Sequence, residues 1–175
     1  MVDLYDPDDD AGRVVGTAQR WMVRRLNLPH AATAVLVRRP TGEILVHQRA
    51  WTKDIWPGRH DCAAGGVVGA RERPDAAAVR ELAEEVGVAG VVPRPLLRTW
   101  YRDEETWYLA HVYDVIWDGE VTFTDGEVIG AWWEPEDLLR ARLATSTWPF
   151  VPDTRYLLDR LRELGSQARP RDRRD

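Results

Sequence analysis

A chain of 175 residues, 44% hydrophobic and 30% charged, is long enough to bury one real core, and its balance excludes a disordered protein. Its formal net charge of −5, from 24 basic and 29 acidic residues, gives no global attraction to nucleic acid. No apolar run approaches the roughly 20 residues that span a bilayer, so no membrane partner is expected.

In chain order, the acidic first ten residues lack the basic and apolar regions of a secretory signal. Residues 2–5 and 13–15 read as short strands around Asp6-Pro7-Asp8-Asp9-Asp10, a run without the glycine and distal glutamate of a calcium loop. Residues 18–26 read as a short helix. Residues 32–38 and 43–48 are apolar, β-branched runs flanking Pro40-Thr41-Gly42, the pattern of a hairpin. Residues 51–60 form a loop, 62–68 a strand of small residues, and 74–86 a helix. Strands follow at 96–101, 106–117 and 129–133, then a helix from about residue 135 and a last one over 154–164. Cys62 is the one cysteine and cannot close an internal disulfide, so the expected location is cytoplasmic.

Strands outnumber helices and do not alternate with them, which predicts an α/β fold with a mixed sheet and helices on its faces. The common glycine-rich nucleotide loops are absent. We expect a single domain over 1–164: an N-terminal hairpin and short helix (1–30), a core (31–145) and a C-terminal helix (146–164). A charged, flexible tail is expected at 165–175. Of nine tryptophans, Trp51, Trp56, Trp132 and Trp133 lie near the candidate site, although large aromatics mostly fill cores.

The chemistry concentrates on the helix at 74–86. Pro74 suits its first turn and Gly87 the position past its end. At 100° per residue, Val79, Leu82, Ala83 and Val86 form the expected core stripe. Glu81, Glu84 and Glu85 gather within an arc of about 100° on the other side. Like charges at these spacings repel, and the helix dipole disfavours anions in the last turns. A bound divalent cation would remove both penalties, and three carboxylates supply the oxygen ligands that Mg²⁺ prefers. No Cys/His set has zinc spacing.

Gly66-x5-Glu72-x7-Arg80-Glu81-Leu82-Ala83-Glu84-Glu85-Val86-Gly87-Val88 resembles the complete box of the Nudix hydrolases. The resemblance implies a Nudix α/β/α sandwich whose loop–helix–loop box presents Glu81, Glu84 and Glu85 to Mg²⁺ or Mn²⁺. It implies the Gly65 carbonyl as a further ligand, Arg80 orienting the glutamates, and Glu72 supporting the loop or joining the metal site. Glu127, before the strand at 129–133, fits the position where family members often place a further metal ligand or general base. Hydrolysis of a small-molecule diphosphate then follows, with Glu81, Glu84, Glu127 and Arg80 as the catalytic set.

Upstream, Arg49-Ala50-Trp51-Thr52-Lys53-Asp54-Ile55-Trp56-Pro57-Gly58 resembles a segment of isopentenyl-diphosphate isomerases, which share the fold. Arg49 and Lys53 suit a diphosphate grip. His30 resembles the position of an isomerase metal ligand but reads as structural. Gly65-Gly66-Val67 stands where that family has Cys-Gly-His, and Cys62 lies three residues early, on the opposite face of a strand. A hydrolase on an isomerase-like scaffold is the expectation. An isomerase and a non-catalytic diphosphate-binding module are the alternatives. Loops at 51–60, 101–107 and 144–152 are expected to select the substrate, and the N-terminal hairpin suggests a homodimer.

Overall fold

In the computed structural model, which describes residues 1–9, 11–123, 126–145 and 147–167, the sheet is organised around β3 (His30–Arg38). All of β3 but Arg38 is buried, as expected of a strand covered on both faces. It runs parallel to β8 (Trp107–Ile116), from His30 opposite Tyr108 to Arg38 opposite Ile116. β8 pairs antiparallel with β7 (Arg94–Arg102). The sheet is therefore mixed.

After β3 the chain reverses at Gly42, which takes φ +95° and donates its N–H to the Arg39 carbonyl at 2.9 Å. β4 (Glu43–Arg49) pairs antiparallel with β3 at Ile44 opposite Arg38. It then pairs antiparallel with β9 (Val128–Pro135) and with β5 (His60–Asp61). The expected hairpin is thus real at its turn, but its strands diverge to different partners.

Alternation along β3 sorts the two cores. Val35 and Val37 point to one side, where α2 (Pro74–Val86) buries Ala78, Leu82 and Val86. Ala32, Ala34 and Leu36 point to the other, against Leu139 and Leu143 of α3 (Glu136–Ala144) and Leu157 and Leu158 of α4 (Pro152–Gln167). One helix on one face and two on the other make the expected α/β/α sandwich. At the edge, β1 (Val2–Tyr5) and β2 (Val14–Ala18) form an antiparallel hairpin joined to β3 where Leu4 faces His30. α1 (Arg20–Arg25) docks beside it through Val23, 1% exposed. It is shorter than 18–26 because Ala18 belongs to β2, opposite Val2.

Three expectations are corrected. The strand at 62–68 breaks up. Asp61 Oδ1 accepts the N–H groups of Cys62 (2.7 Å) and Ala63 (3.1 Å), and the Gly65 N–H goes to Glu85 Oε2 at 2.8 Å. With those donors diverted, only β6 (Ala63–Ala64) and an isolated bridge from Val67 to Ala32 remain. The core stripe of α2 is also rotated: Val79 and Ala83 are exposed, while Ala77, Ala78, Leu82, Glu85 and Val86 are buried. Finally, α4 continues through residues 165–167, and the rest of the expected tail, 168–175, lies outside the described residues.

Candidate active site

The loop between β6 and α2 is shaped by backbone contacts to β3 and the N-terminus. The Thr33 N–H bonds the Gly66 carbonyl (2.9 Å), the Val68 N–H the Ala31 carbonyl (3.0 Å), and the Ala70 N–H the Met1 carbonyl (3.0 Å). Gly65 and Gly66 cannot carry side chains there. A Cβ on Gly65 would stand 2.1 Å from the Thr33 carbonyl oxygen, and one on Gly66 would stand 2.6 Å from Glu81 Oε1. Gly66 thus leaves room for the Glu81 carboxylate, while Gly65 lets the loop pack against the β3 backbone and turns its N–H to Glu85.

Arg80 braces the box. Its Nε and Nη2 donate to Glu72 Oε1 (2.9 Å) and Oε2 (3.1 Å). Its Nη1 donates to Glu81 Oε1 (2.7 Å) and Glu84 Oε2 (3.0 Å). One planar fork thus serves three carboxylates. Glu72 also accepts the Gly69 N–H at 2.7 Å, so it ties the loop to the helix, and the Arg80 bonds hold its carboxyl below the usual range.

The three box glutamates stand in different surroundings. Glu84 is exposed. Glu81 is half-buried, and burial raises its proton affinity despite Arg80. Glu85 is 8% exposed, and burial pushes its pKa up to about 8 against the pull of Lys53 and the Gly65 N–H. Lys53 Nζ lies 3.6 Å from Glu85 Oε1 and bonds the Glu127 carboxylate. Burial, the largest single influence, would raise the Glu127 pKa, but the bond and charge of Lys53, a hydrogen bond with Glu85 and the charge of Arg49 together lower it. The Ala50 N–H to Glu127 carbonyl bond, 2.8 Å, fixes the Glu127 backbone beside the loop that carries Lys53.

These groups share one cleft of about 490 Å³, lined by Arg49, Lys53, Gly65, Gly66, Arg80, Glu81, Glu84, Glu85 and Glu127. Of the catalytic, binding and metal residues expected from sequence, Glu72 alone does not line the cleft and is set back behind Arg80. Among the described residues no three His, Cys, Asp or Glu side chains form a closed metal cluster; Arg80 and Lys53 stand between the carboxylates. The donor set nevertheless suits a hard divalent cation, because Glu81, Glu84 and Glu85 offer only oxygen. Burial disfavours the ionised forms of Glu81 and Glu85, a cost that a cation bound between them would offset.

Sequence reasoning missed two features. Arg20 and Arg24 of α1 line the same cleft; their i, i+4 spacing placed them on one helix face, but not what that face meets. A smaller adjoining cavity of about 90 Å³ is lined by His30, Thr33, Arg49, Trp56, Asp61, Tyr108 and Asp153. Asp153 accepts the Tyr108 hydroxyl at 2.8 Å, and burial together with the charge of Asp61 lifts its pKa to about 7. His30 Nδ1 lies 2.9 Å from the Leu28 carbonyl, consistent with the structural role read for it. Of the four tryptophans near the site, Trp56 reaches this cavity, Trp132 and Trp133 pack on the two cores, and Trp51 is 71% exposed beside Gly58.

The sandwich, the glycine-shaped loop and the glutamate helix are the parts that the resemblance to Nudix hydrolases implies. The NUDIX domain family model matches residues 28–154, and the chain belongs to the Nudix hydrolase family. It is 40% identical over 174 residues to an uncharacterised Nudix hydrolase of Streptomyces coelicolor, covering 97% of this chain and 92% of that one. A Rhodococcus erythropolis Nudix hydrolase is 37% identical over 161 residues, 86% of each chain. Among solved structures, a Deinococcus radiodurans protein superposes with TM-score 0.71 at 22% identity, covering 91% of this chain and 98% of that one. The NUDIX domain of Shewanella oneidensis NrtR, solved with ADP ribose, gives TM-score 0.57 at 19% identity, covering 77% and 85%. Both likenesses concern the fold. Among the described residues no helix is long and apolar enough to cross a membrane.

Proposed function

We propose that this Nudix hydrolase acts in the cytoplasm with Mg²⁺, or Mn²⁺ in its place, on a nucleoside diphosphate linked to another group or a related organic diphosphate. The carrying observation is the convergence of Glu81, Glu84, Glu85, Glu127, Arg49 and Lys53 on one cleft beside Gly65 and Gly66. Glu81, Glu84, Glu85 and the Gly65 carbonyl are the groups that would hold the metal. A bound divalent ion supplies charge neutralisation for the phosphate oxygens. Arg49 and Lys53 grip the diphosphate, and Arg80 keeps Glu81 and Glu84 aimed into the cleft. Glu127, kept ionised by Lys53, receives the proton of the attacking water.

ADP ribose, the molecule bound by the NrtR domain, has the chemistry of a nucleoside diphosphate joined to a sugar and is a natural first substrate to try. The isomerase alternative finds little support, because the Cys62 thiol is buried and burial raises its pKa well above the ordinary range. The test is a Mg²⁺-dependent screen over nucleotide sugars, dinucleotides, nucleoside di- and triphosphates and isoprenoid diphosphates. We expect phosphate-anhydride cleavage that Glu84→Gln and Glu127→Gln each reduce by about 100-fold or more in kcat. Wild-type protein inert throughout the screen, or variants as active as wild type, would sink the assignment.

A further inference from the structure

Arg20 and Arg24 have no role in holding the scissile diphosphate as described above, yet both line its cleft. They stand one turn apart on α1, where like charges repel. Arg49 adds a third guanidinium within electrostatic range of Arg24. Neither Arg20 nor Arg24 forms an ion pair with a carboxylate among the described residues; Asp54 and Glu81 are near enough to be felt but not to bond. The Nε of Arg24 is buried and has no hydrogen-bond partner. Three guanidinium groups lining one cleft, one of them largely desolvated, repel each other, and a bound anion relieves that cost.

The position of these arginines says which anion. They border the cleft on one side and, with Asp54 and Ile55, also border a groove of about 600 Å³ that continues past Trp21, itself 61% exposed. A group held by them lies on the substrate, outside the diphosphate gripped at Lys53. Arginine forks match phosphate oxygens in pairs.

Building on the hydrolase reading, we propose that Arg20 and Arg24 form a subsite for an additional phosphate beyond the scissile diphosphate, and so make the enzyme selective for substrates carrying one. Such a phosphate is either the third member of a linear triphosphate or a phosphomonoester on the nucleoside sugar. The groove past Trp21 accommodates the part of the molecule that bears it.

Equilibrium binding to compounds that cannot be hydrolysed tests the subsite without relying on turnover. One pair is AMP against adenosine 2′,5′- and 3′,5′-bisphosphates. The other is methylene-bridged ADP against fully methylene-bridged ATP, all titrated calorimetrically with Mg²⁺ present. In at least one pair the extra phosphate is expected to tighten binding about tenfold, and the responding pair identifies its source. Arg20→Gln and Arg24→Gln reduce that gain to about threefold or less while leaving the reference compound within about twofold. Arg24→Lys recovers part of it, which separates lost charge from lost packing. Equal affinities within both pairs, no binding of any compound, or a gain that survives both Gln variants would overturn the subsite. Failure of the hydrolysis screen would instead sink the proposed function and leave these affinities to decide the subsite separately.

Discussion

The ammonium of Lys53 lies 3.6 Å from the buried carboxylate of Glu85, so the protein carries its own cation where the family's box gathers its anions. Removing that cation leaves both Glu85 and Glu127 without their basic partner. Lys53→Met is expected to lower stability by about 2 kcal/mol, or about 5 °C in Tm, when divalent ions are chelated. Added Mg²⁺ raises the Tm of the variant more than that of wild type, because the ion replaces the missing charge. Thermal melts with and without Mg²⁺ check this; equal Mg²⁺ responses would refute it.

Gly65 and Gly66 are adjacent yet exclude a Cβ for different reasons. At Gly65 the obstacle is backbone, the Thr33 carbonyl oxygen at 2.1 Å, which cannot swing away. Gly65→Ala is expected to destabilise the fold by about 3 kcal/mol. At Gly66 the obstacle is the Glu81 carboxylate at 2.6 Å, the far end of a flexible side chain. Gly66→Ala therefore folds, with a Tm near wild type, but loses most Mg²⁺-dependent turnover because Glu81 is pushed aside. Melting curves paired with activity separate the two.

Arg80 serves Glu72, Glu81 and Glu84 through one planar group. Arg80→Lys keeps the charge but loses the fork. We expect kcat to fall about tenfold or more with stability reduced by about 1 kcal/mol, since an ammonium cannot reproduce the paired bonds to Glu72. A Lys variant with wild-type kcat would remove Arg80 from its positioning role.

The His47 ring is buried on β4, and burial lowers its pKa to about 4 from an ordinary 6.5. The folded ring stays neutral while the unfolded ring protonates, so the unfolded state binds more protons between pH 6.5 and 4. The contribution of His47 is full above pH 6.5 and is lost as pH falls towards 4. The stability difference between wild type and His47→Gln should shrink over that window, as denaturant titrations at several pH values would show. A difference that grows on acidification would contradict the sign.

Cys62 is expected to resist thiol reagents in the native state and to react only on unfolding, because its thiol is buried and kept protonated. Cys62→Ala should retain hydrolase turnover within about threefold. Rapid native labelling accompanied by loss of activity would reopen a chemical role for the thiol.

The sequence by itself determined the family, the bounds of α2 and the identities of the box residues. These depend on local periods and fixed offsets: proline in a first turn, glycine at a left-handed end, glutamates a helical turn apart. Most strands were legible for the same reason, through runs of β-branched residues. What it misplaced was the facing of α2, where Val79 and Ala83 read as core and Glu85 as outer face. The rotation goes with Gly65 and Gly66, distant in chain and close in space: the missing Gly66 side chain admits the Glu81 carboxylate, and the Gly65 N–H binds that of Glu85. Tertiary structure likewise decided that Lys53 meets Glu85 and Glu127, that Asp61 ends the strand at Cys62, and that α1 turns Arg20 and Arg24 into the cleft. Box chemistry is written in local spacing, but charge pairing and burial arise only when separate elements meet. The three box glutamates therefore share one motif and differ in surroundings: one exposed, one half-buried, and one buried with its pKa near 8.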